Sequence, residues 1–238
     1  MGRTVISCAA ENGNDEIVAG IDVKDVADSS FPVFHSPEEV DVEADVLIDF
    51  SNPSLLTPLL EFGMNKKIPL VLCTTGYSKE QTMAIKQASA RIPVFFSGNM
   101  SLGVNLLIEL SKKAAKVLGD SFDIEIIEKH HNRKIDAPSG TALMIANGIS
   151  SVLAKDMHYV YDRHSQRKAR ETTEIGIHSV RGGTIVGEHD VIFAGPHEVI
   201  TLSHSAQSRD IFALGALHAA EFLVCQANGL YSMSDLLK

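Results

Sequence analysis

The feature that most constrains the fold is an alternation within the first hundred residues. Four short apolar runs, EIVAGID (16–22), ADVLIDF (44–50), PLVLCTT (69–75) and IPVFFSG (92–98), are separated by stretches with helical spacing. Three of the four are nearly continuous in apolar residues, the pattern of strands covered on both faces, as in a parallel sheet. SLLTPLLEFGMNKK ends in lysines, and SKEQTMAIKQASAR opens with Ser78 and Gln81 at capping-box spacing, so both read as helices. The βα repeat predicts an α/β fold, a Rossmann-like doubly wound parallel sheet.

The texture then changes. SLGVNLLIELSKKAAKVLG (101–119) reads as a longer helix with Gly119 as its stop. FDIEIIEKHH reads as a strand, and a helix is expected from Gly140 to Ala154, where Ala142, Ile145, Ile149 and Val152 make an apolar stripe. TEIGIHSVRGG, TIVGEHDVIFAG and HEVITLSHSA follow as strands divided by Gly-Gly and Gly-Pro turns, which predicts a second α+β domain with a mixed, largely antiparallel sheet. RDIFALGALHAAEFLVCQ is a last helix, stopped at Asn228-Gly229. The expected organisation is a dinucleotide-binding domain over 1–101, a substrate-binding and oligomerisation domain over 102–208, and a C-terminal helix over 209–238 returning to the first domain.

Open α/β sheets bind ligands beyond the C-terminal ends of their strands. The first run ends in Asp22, which has the chemistry to accept both ribose hydroxyls of an adenosine, although Asp is also a common turn residue. The third ends Cys73-Thr74-Thr75-Gly76 and the fourth Ser97-Gly98-Asn99-Met100, small or amide-bearing residues that let a flat ring approach the backbone. A complete glycine-rich phosphate loop is not visible: the chain opens Met1-Gly2-Arg3 and is helical in pattern from Thr4. Gly2 lies 20 residues before Asp22, the spacing of about 20 between a loop's last glycine and its acidic residue, so Met1-Gly2 reads as the tail of such a loop.

Chemistry concentrates in EKHHNRKIDAPSGTA (128–142). Continued as a strand, it would point His130, Asn132 and Lys134 one way and His131 and Arg133 the other. Adjacent histidines on opposite faces do not converge on one ion, so no metal is expected. Pro138-Ser139 is an N-cap signature, and backbone N–H groups at Gly140 and Thr141 with the helix dipole form an anion site. His130 can exchange a proton near neutral pH, and Lys134 can pair with a carboxylate or donate a proton. A small substrate carrying carboxylates fits this set; a solvated basic loop with a simply capped helix is the bland alternative.

The formal net charge of −9 argues against nucleic acid as a partner, and the basic stretch Arg163 to Arg170 reads as a solvated loop. Cys8, Cys73 and Cys225 are too scattered for a disulfide framework, which suits a reducing cytoplasm. No apolar run has the length of a membrane span, and no membrane partner is expected.

E-I-I-E-K-H-H-N-R-K-I-D-A-P-S-G-T-A closely resembles the signature of the dihydrodipicolinate reductase family of lysine and diaminopimelate synthesis. C-T-T-G resembles the family's G-T-T-G loop, with Cys73 in place of a glycine. SGNMSLGVN and SVRGGTIVGEH match its domain junction and later sheet. The resemblance implies reduction of 4-hydroxy-tetrahydrodipicolinate to tetrahydrodipicolinate, with NADH or NADPH as hydride source. It implies His130 as proton donor or acceptor, Lys134 as the residue protonating the reduced substrate, and His131, Ser139, Gly140 and Thr141 as holders of substrate carboxylates. It implies a cofactor site lined by Met1, Asp22, Cys73, Thr74, Thr75, Ser97, Gly98, Asn99 and Met100. It also implies a homotetramer built through the second domain's sheet. Against the family pattern, the first strand and its G-x-x-G-x-M-G loop are reduced here to Met1-Gly2, so a truncated remnant that binds a dicarboxylate without turnover is one alternative. Another nicotinamide-dependent dehydrogenase sharing the architecture is the other. Asp22 suits NADH, while Lys24 can receive the 2′-phosphate of NADPH.

Overall fold

The computed structural model describes residues 1–24 and 29–238, and the apolar runs of the sequence become its short strands. In chain order the elements are α1 (Gly2–Asn12), β1 (Gly20–Ile21), β2 (Val33–Phe34), β3 (Leu47–Asp49), α2 (Leu56–Lys66), β4 (Leu70–Leu72), α3 (Lys79–Ala88), β5 (Pro93–Phe96) and α4 (Leu102–Leu118). They continue as β6 (Asp123–His130), α5 (Gly140–Ser150), β7 (His158–Val160), β8 (Glu174–Arg181), β9 (Gly187–Ala194), β10 (Val199–Ala206), α6 (Asp210–Leu223), β11 (Gly229–Tyr231) and α7 (Met233–Leu236). The chain divides into two compact units, residues 1–101 with 210–238, and residues 102–209.

The first unit has a four-stranded parallel sheet in the order β11-β5-β4-β3, with β1 and β2 as a separate parallel pair. Every residue of β4 is fully buried. Leu70 and Leu72 meet Leu56, Leu60 and Ile85 on one face, and α6 packs across β3, β4 and β5 with α1 against it. Helices on both faces are what a continuous apolar strand demands. The Ser78–Gln81 capping box closes the start of α3, and Gly119, at φ +58, stops α4. The run 16–22 contributes only Gly20 and Ile21 as strand, because β2 is equally short and offers no longer ladder.

The second unit has a five-stranded mixed sheet, β10-β9-β6-β8-β7. The long β10–β9 and β9–β6 ladders are antiparallel, while β6–β8 and the short β8–β7 are parallel, so the sheet is mixed with antiparallel pairing the larger share. The helix from Gly140 ends at Ser150 rather than Ala154, and residues 151–154 are turns. Ile124 and Ile126 of β6 and Val191 and Phe193 of β9 face Ala142, Ile145 and Ile149 of α5 and Leu107 of α4 in one core. The stretch Arg163 to Arg170 is not simply solvated. Arg163 pairs with the buried Glu174, and Arg170 pairs with Asp123 and donates to the Glu174 carbonyl at 2.7 Å.

Gly215 of α6 sits against the end of β5. A Cβ there would lie 1.7 Å from the Met100 carbonyl oxygen, a backbone atom that cannot rotate away. Gly215→Ala is therefore expected to destabilise the protein by about 2 kcal/mol and to displace the 97–100 segment. Urea denaturation checks the first effect, and an unchanged midpoint would contradict this packing.

Candidate active site

The strand β6 alternates, and its buried positions are Ile124, Ile126, Glu128 and His130. Those of β9 are Gly187, His189, Val191 and Phe193. β6 begins on the apolar core and turns polar at its C-terminal end, while antiparallel β9 begins polar and then joins the core, so Glu128 and its register partner His189 lie at one end. The site is the polar end of the core face.

Glu128 is fully buried. Arg181 meets it with both arms, Nη1 to Oε2 at 2.8 Å and Nη2 to Oε1 at 2.7 Å. The Ser139 N–H donates to Oε1 at 3.1 Å, and His130 Nδ1 lies 2.6 Å from Oε2. Burial pushes the carboxyl up, but the hydrogen bonds of Arg181, Ser179 and His130 and the guanidinium charge outweigh it and bring it from 4.5 to about 2. His130 is 9% exposed, and burial lowers its pKa against the opposing pull of Glu128. The His189 ring stands edge-on to His130 with centroids 5.3 Å apart, and its Nε2 is 3.2 Å from Ser139 Oγ. Burial first, then the neighbouring His130, lowers His189 from 6.5 to about 4.

Ser139 caps α5 as its sequence signature predicts, with Oγ accepting from the Ala142 N–H at 3.1 Å. A Cβ on Gly140 would meet nothing within 4 Å, so this helix start opens onto space into which an anion can come. The strand itself stops at His130. Residues 131–134 turn, with the Lys134 N–H donating to the His131 carbonyl at 3.1 Å, so the expected alternation of His130, Asn132 and Lys134 against His131 and Arg133 does not continue. Lys134 lies 2.9 Å from Asp136, and His131 Nδ1 is buried without a hydrogen-bond partner. Glu128, Arg181 and His189 escaped the sequence reading. Glu128 and His189 shared the parity of apolar core residues, a signal that was available; Arg181 depended on the β6–β8 pairing.

In the first unit, Met1, Phe50, Cys73, Thr75, Gly98, Asn99, Met100 and Phe212 line a pocket of about 210 Å³. Thr74 and Ser97 are buried beside it, and Ser97 Oγ donates to the Asn99 carbonyl at 2.8 Å. Asp22 closes β1 and accepts from the Lys24 N–H at 2.9 Å; it is not among the pocket's lining residues. Met1, which precedes α1, lines this pocket. Small residues at the strand ends fit a nicotinamide dinucleotide.

The family model for the N-terminus of dihydrodipicolinate reductase matches residues 1–100, and that for its C-terminus matches residues 103–237. The chain belongs to the dihydrodipicolinate reductase family. It is 57% identical over 238 residues to the 4-hydroxy-tetrahydrodipicolinate reductase of Caldanaerobacter subterraneus subsp. tengcongensis, covering 100% of this chain and 94% of that protein. It is 48% identical to the Clostridium tetani reductase, covering 100% of this chain and 92% of the relative. The dipicolinate-bound dihydrodipicolinate reductase from Paenisporosarcina sp. TG-14 has the same fold, with a TM-score of 0.78 and 27% identity over 97% of this chain and 92% of that one. Dihydrodipicolinate reductases use a nicotinamide cofactor, and the pocket of the first unit has the chemistry to take it.

The two depressed pKa values set an acid response. A carboxyl lowered in the fold stabilises above its unfolded pKa, and that stability drains as pH falls from 4.5 toward 2. A histidine lowered in the fold leaves the unfolded chain to take the proton first, so stability also drains as pH falls from 6.5 toward 4. Urea midpoints should fall in two stages, and His189→Gln should shrink the upper one. An identical profile in that variant would contradict the placement of His189.

Proposed function

We propose that the polar end of the β6–β9 core face binds the substrate's carboxylates and supplies its proton. The chain's activity is nicotinamide-dependent reduction of 4-hydroxy-tetrahydrodipicolinate to tetrahydrodipicolinate, a step of lysine and diaminopimelate synthesis. Substrate and product differ by a hydroxyl replaced with hydrogen, so one hydride and one proton enter and one water leaves. A bound nicotinamide supplies the hydride. The protein's task is to orient a cyclic dicarboxylate and to deliver the proton.

The observation that carries this reading is the convergence of a buried histidine, His130, and the open start of α5 on one carboxylate, Glu128. His130 exchanges the proton. The first turn of α5, at Ser139, Gly140 and Thr141, holds one substrate carboxylate on backbone N–H groups, with His131 beside it. Lys134, now paired with Asp136, exchanges that partner for a substrate carboxylate and protonates the reduced ring.

In the first unit, Met1, Cys73, Thr74, Thr75 and Ser97 to Met100 hold the cofactor, and Asp22 takes the adenosine ribose. Asp22 favours NADH and Lys24 accommodates NADPH, so both nucleotides serve. Val180 and Val199 are exposed on the outer face of the five-stranded sheet, which supports assembly into a homotetramer through that face. Light scattering should return four times 25.7 kDa.

His130→Ala and Lys134→Ala should each lower kcat by about 100-fold or more and leave NADH affinity nearly unchanged. Steady-state kinetics with NADH titrations checks this, and near-normal turnover in both variants would sink the role assignment. Asp22→Ala should raise the KM for NADH about tenfold while changing that for NADPH little, as removal of a ribose hydrogen-bond acceptor requires. Equal changes for both nucleotides would contradict the placement of Asp22.

A further inference from the structure

We propose that Glu128 is a positioning residue for the reaction: its carboxylate fixes His130 with the proton on Nδ1, makes Nε2 the proton-exchanging atom, and ties that ring to the start of α5. This rests on the reading of His130 as the proton-exchanging group.

An ionised carboxylate only accepts hydrogen bonds, so the atom 2.6 Å from Glu128 Oε2 must be an N–H, and that atom is His130 Nδ1. In the neutral ring the lone pair then lies on Nε2. What stands before Nε2 is Gly187: a Cβ on that residue would come within 3.1 Å of it. The glycine keeps the reactive nitrogen uncovered at a position where any side chain would crowd it.

The same carboxylate has a second set of partners. Oε1 accepts the N–H of Ser139, the cap of the helix proposed to hold the substrate anion. Arg181 holds both oxygens and also donates through Nη2 to the Asp136 carbonyl at 2.7 Å, fixing the segment that carries Lys134. One group thus sets the distance between the proton-exchanging ring and the anion seat, and orientation at that precision is worth large rate factors. A salt bridge serving stability alone has no need of the contacts to His130 and Ser139.

The groups facing His130 are Glu128 on its own strand, Arg181 from β8, His189 from β9 and Lys134 from the following turn. Glu128 is the anion among them, so removing its charge leaves the imidazolium among cations and lowers the pH at which it forms.

The test begins with the wild-type holoenzyme. Long-range proton–nitrogen correlations at neutral pH should show His130 with hydrogen on Nδ1; hydrogen on Nε2 would overturn the proposal. Glu128→Gln should then lower kcat about tenfold or more and move the His130 limb of the kcat/KM profile down by about one pH unit. Glu128→Asp, which keeps the charge, should restore the limb. Wild-type kcat and an unmoved limb in Glu128→Gln would overturn the positioning role. If that variant does not fold, the wild-type tautomer and the Glu128→Asp profile decide. His130→Ala separates the two claims. If it turns over normally, the proton-exchange reading falls and this one with it; if it is impaired while Glu128→Gln is not, only the positioning role falls.

Discussion

A carboxylate with no solvent exposure sits in the middle strand of the five-stranded sheet, and much of the second unit is arranged to keep it there. Removing one partner of a buried ion pair typically costs about 3–5 kcal/mol, because the other charge is left stranded. Glu128 therefore needs Arg181 at its side, and the parallel β6–β8 ladder supplies it by pairing Arg181 with His130. The cap of α5 answers to the same group through the Ser139 N–H. The β6–β8 pairing, the start of α5 and the His130 ring thus meet at one buried charge.

Much of the architecture was legible because it rests on local rules. Continuous apolar runs with capping-box and glycine signals marked β3, β4, β5, α3 and α4, and the alternation in DIEIIEKH marked β6. The helix start at Pro138-Ser139-Gly140 was legible for the same reason, since an N-cap is a property of three or four consecutive residues. Elements that exist through a partner were not: β2, β7 and β11 are two or three residues long and are held by distant strands. The turn at 131–134 replaced an expected extension of β6, because β8 gives way at Arg181 to the Gly182–Gly183 bend, and the Asn132 N–H turns to the Gly183 carbonyl.

The candidate site divides along the same line. His130, Lys134 and Ser139 to Thr141 lie in one segment and were found together. Glu128 lay in that segment too, yet charge at a core parity was passed over as part of the strand. Arg181 and His189 lie forty residues or more further on, and only register brings them in. The strand ends that line the first unit's pocket were found from topology, since ligands sit beyond the carboxyl ends of parallel strands. Asp22 follows its own short strand and is not among the residues lining that pocket.

The central claim is that this chain reduces a cyclic dicarboxylate at the expense of a nicotinamide. The most direct measurement is oxidation of NADH and NADPH by the 238-residue chain, with substrate formed in situ from pyruvate and aspartate semialdehyde. The account predicts oxidation that depends on the substrate, with one nucleotide consumed per tetrahydrodipicolinate formed. Oxidation that proceeds equally without substrate, or a folded protein that oxidises neither nucleotide, would contradict it.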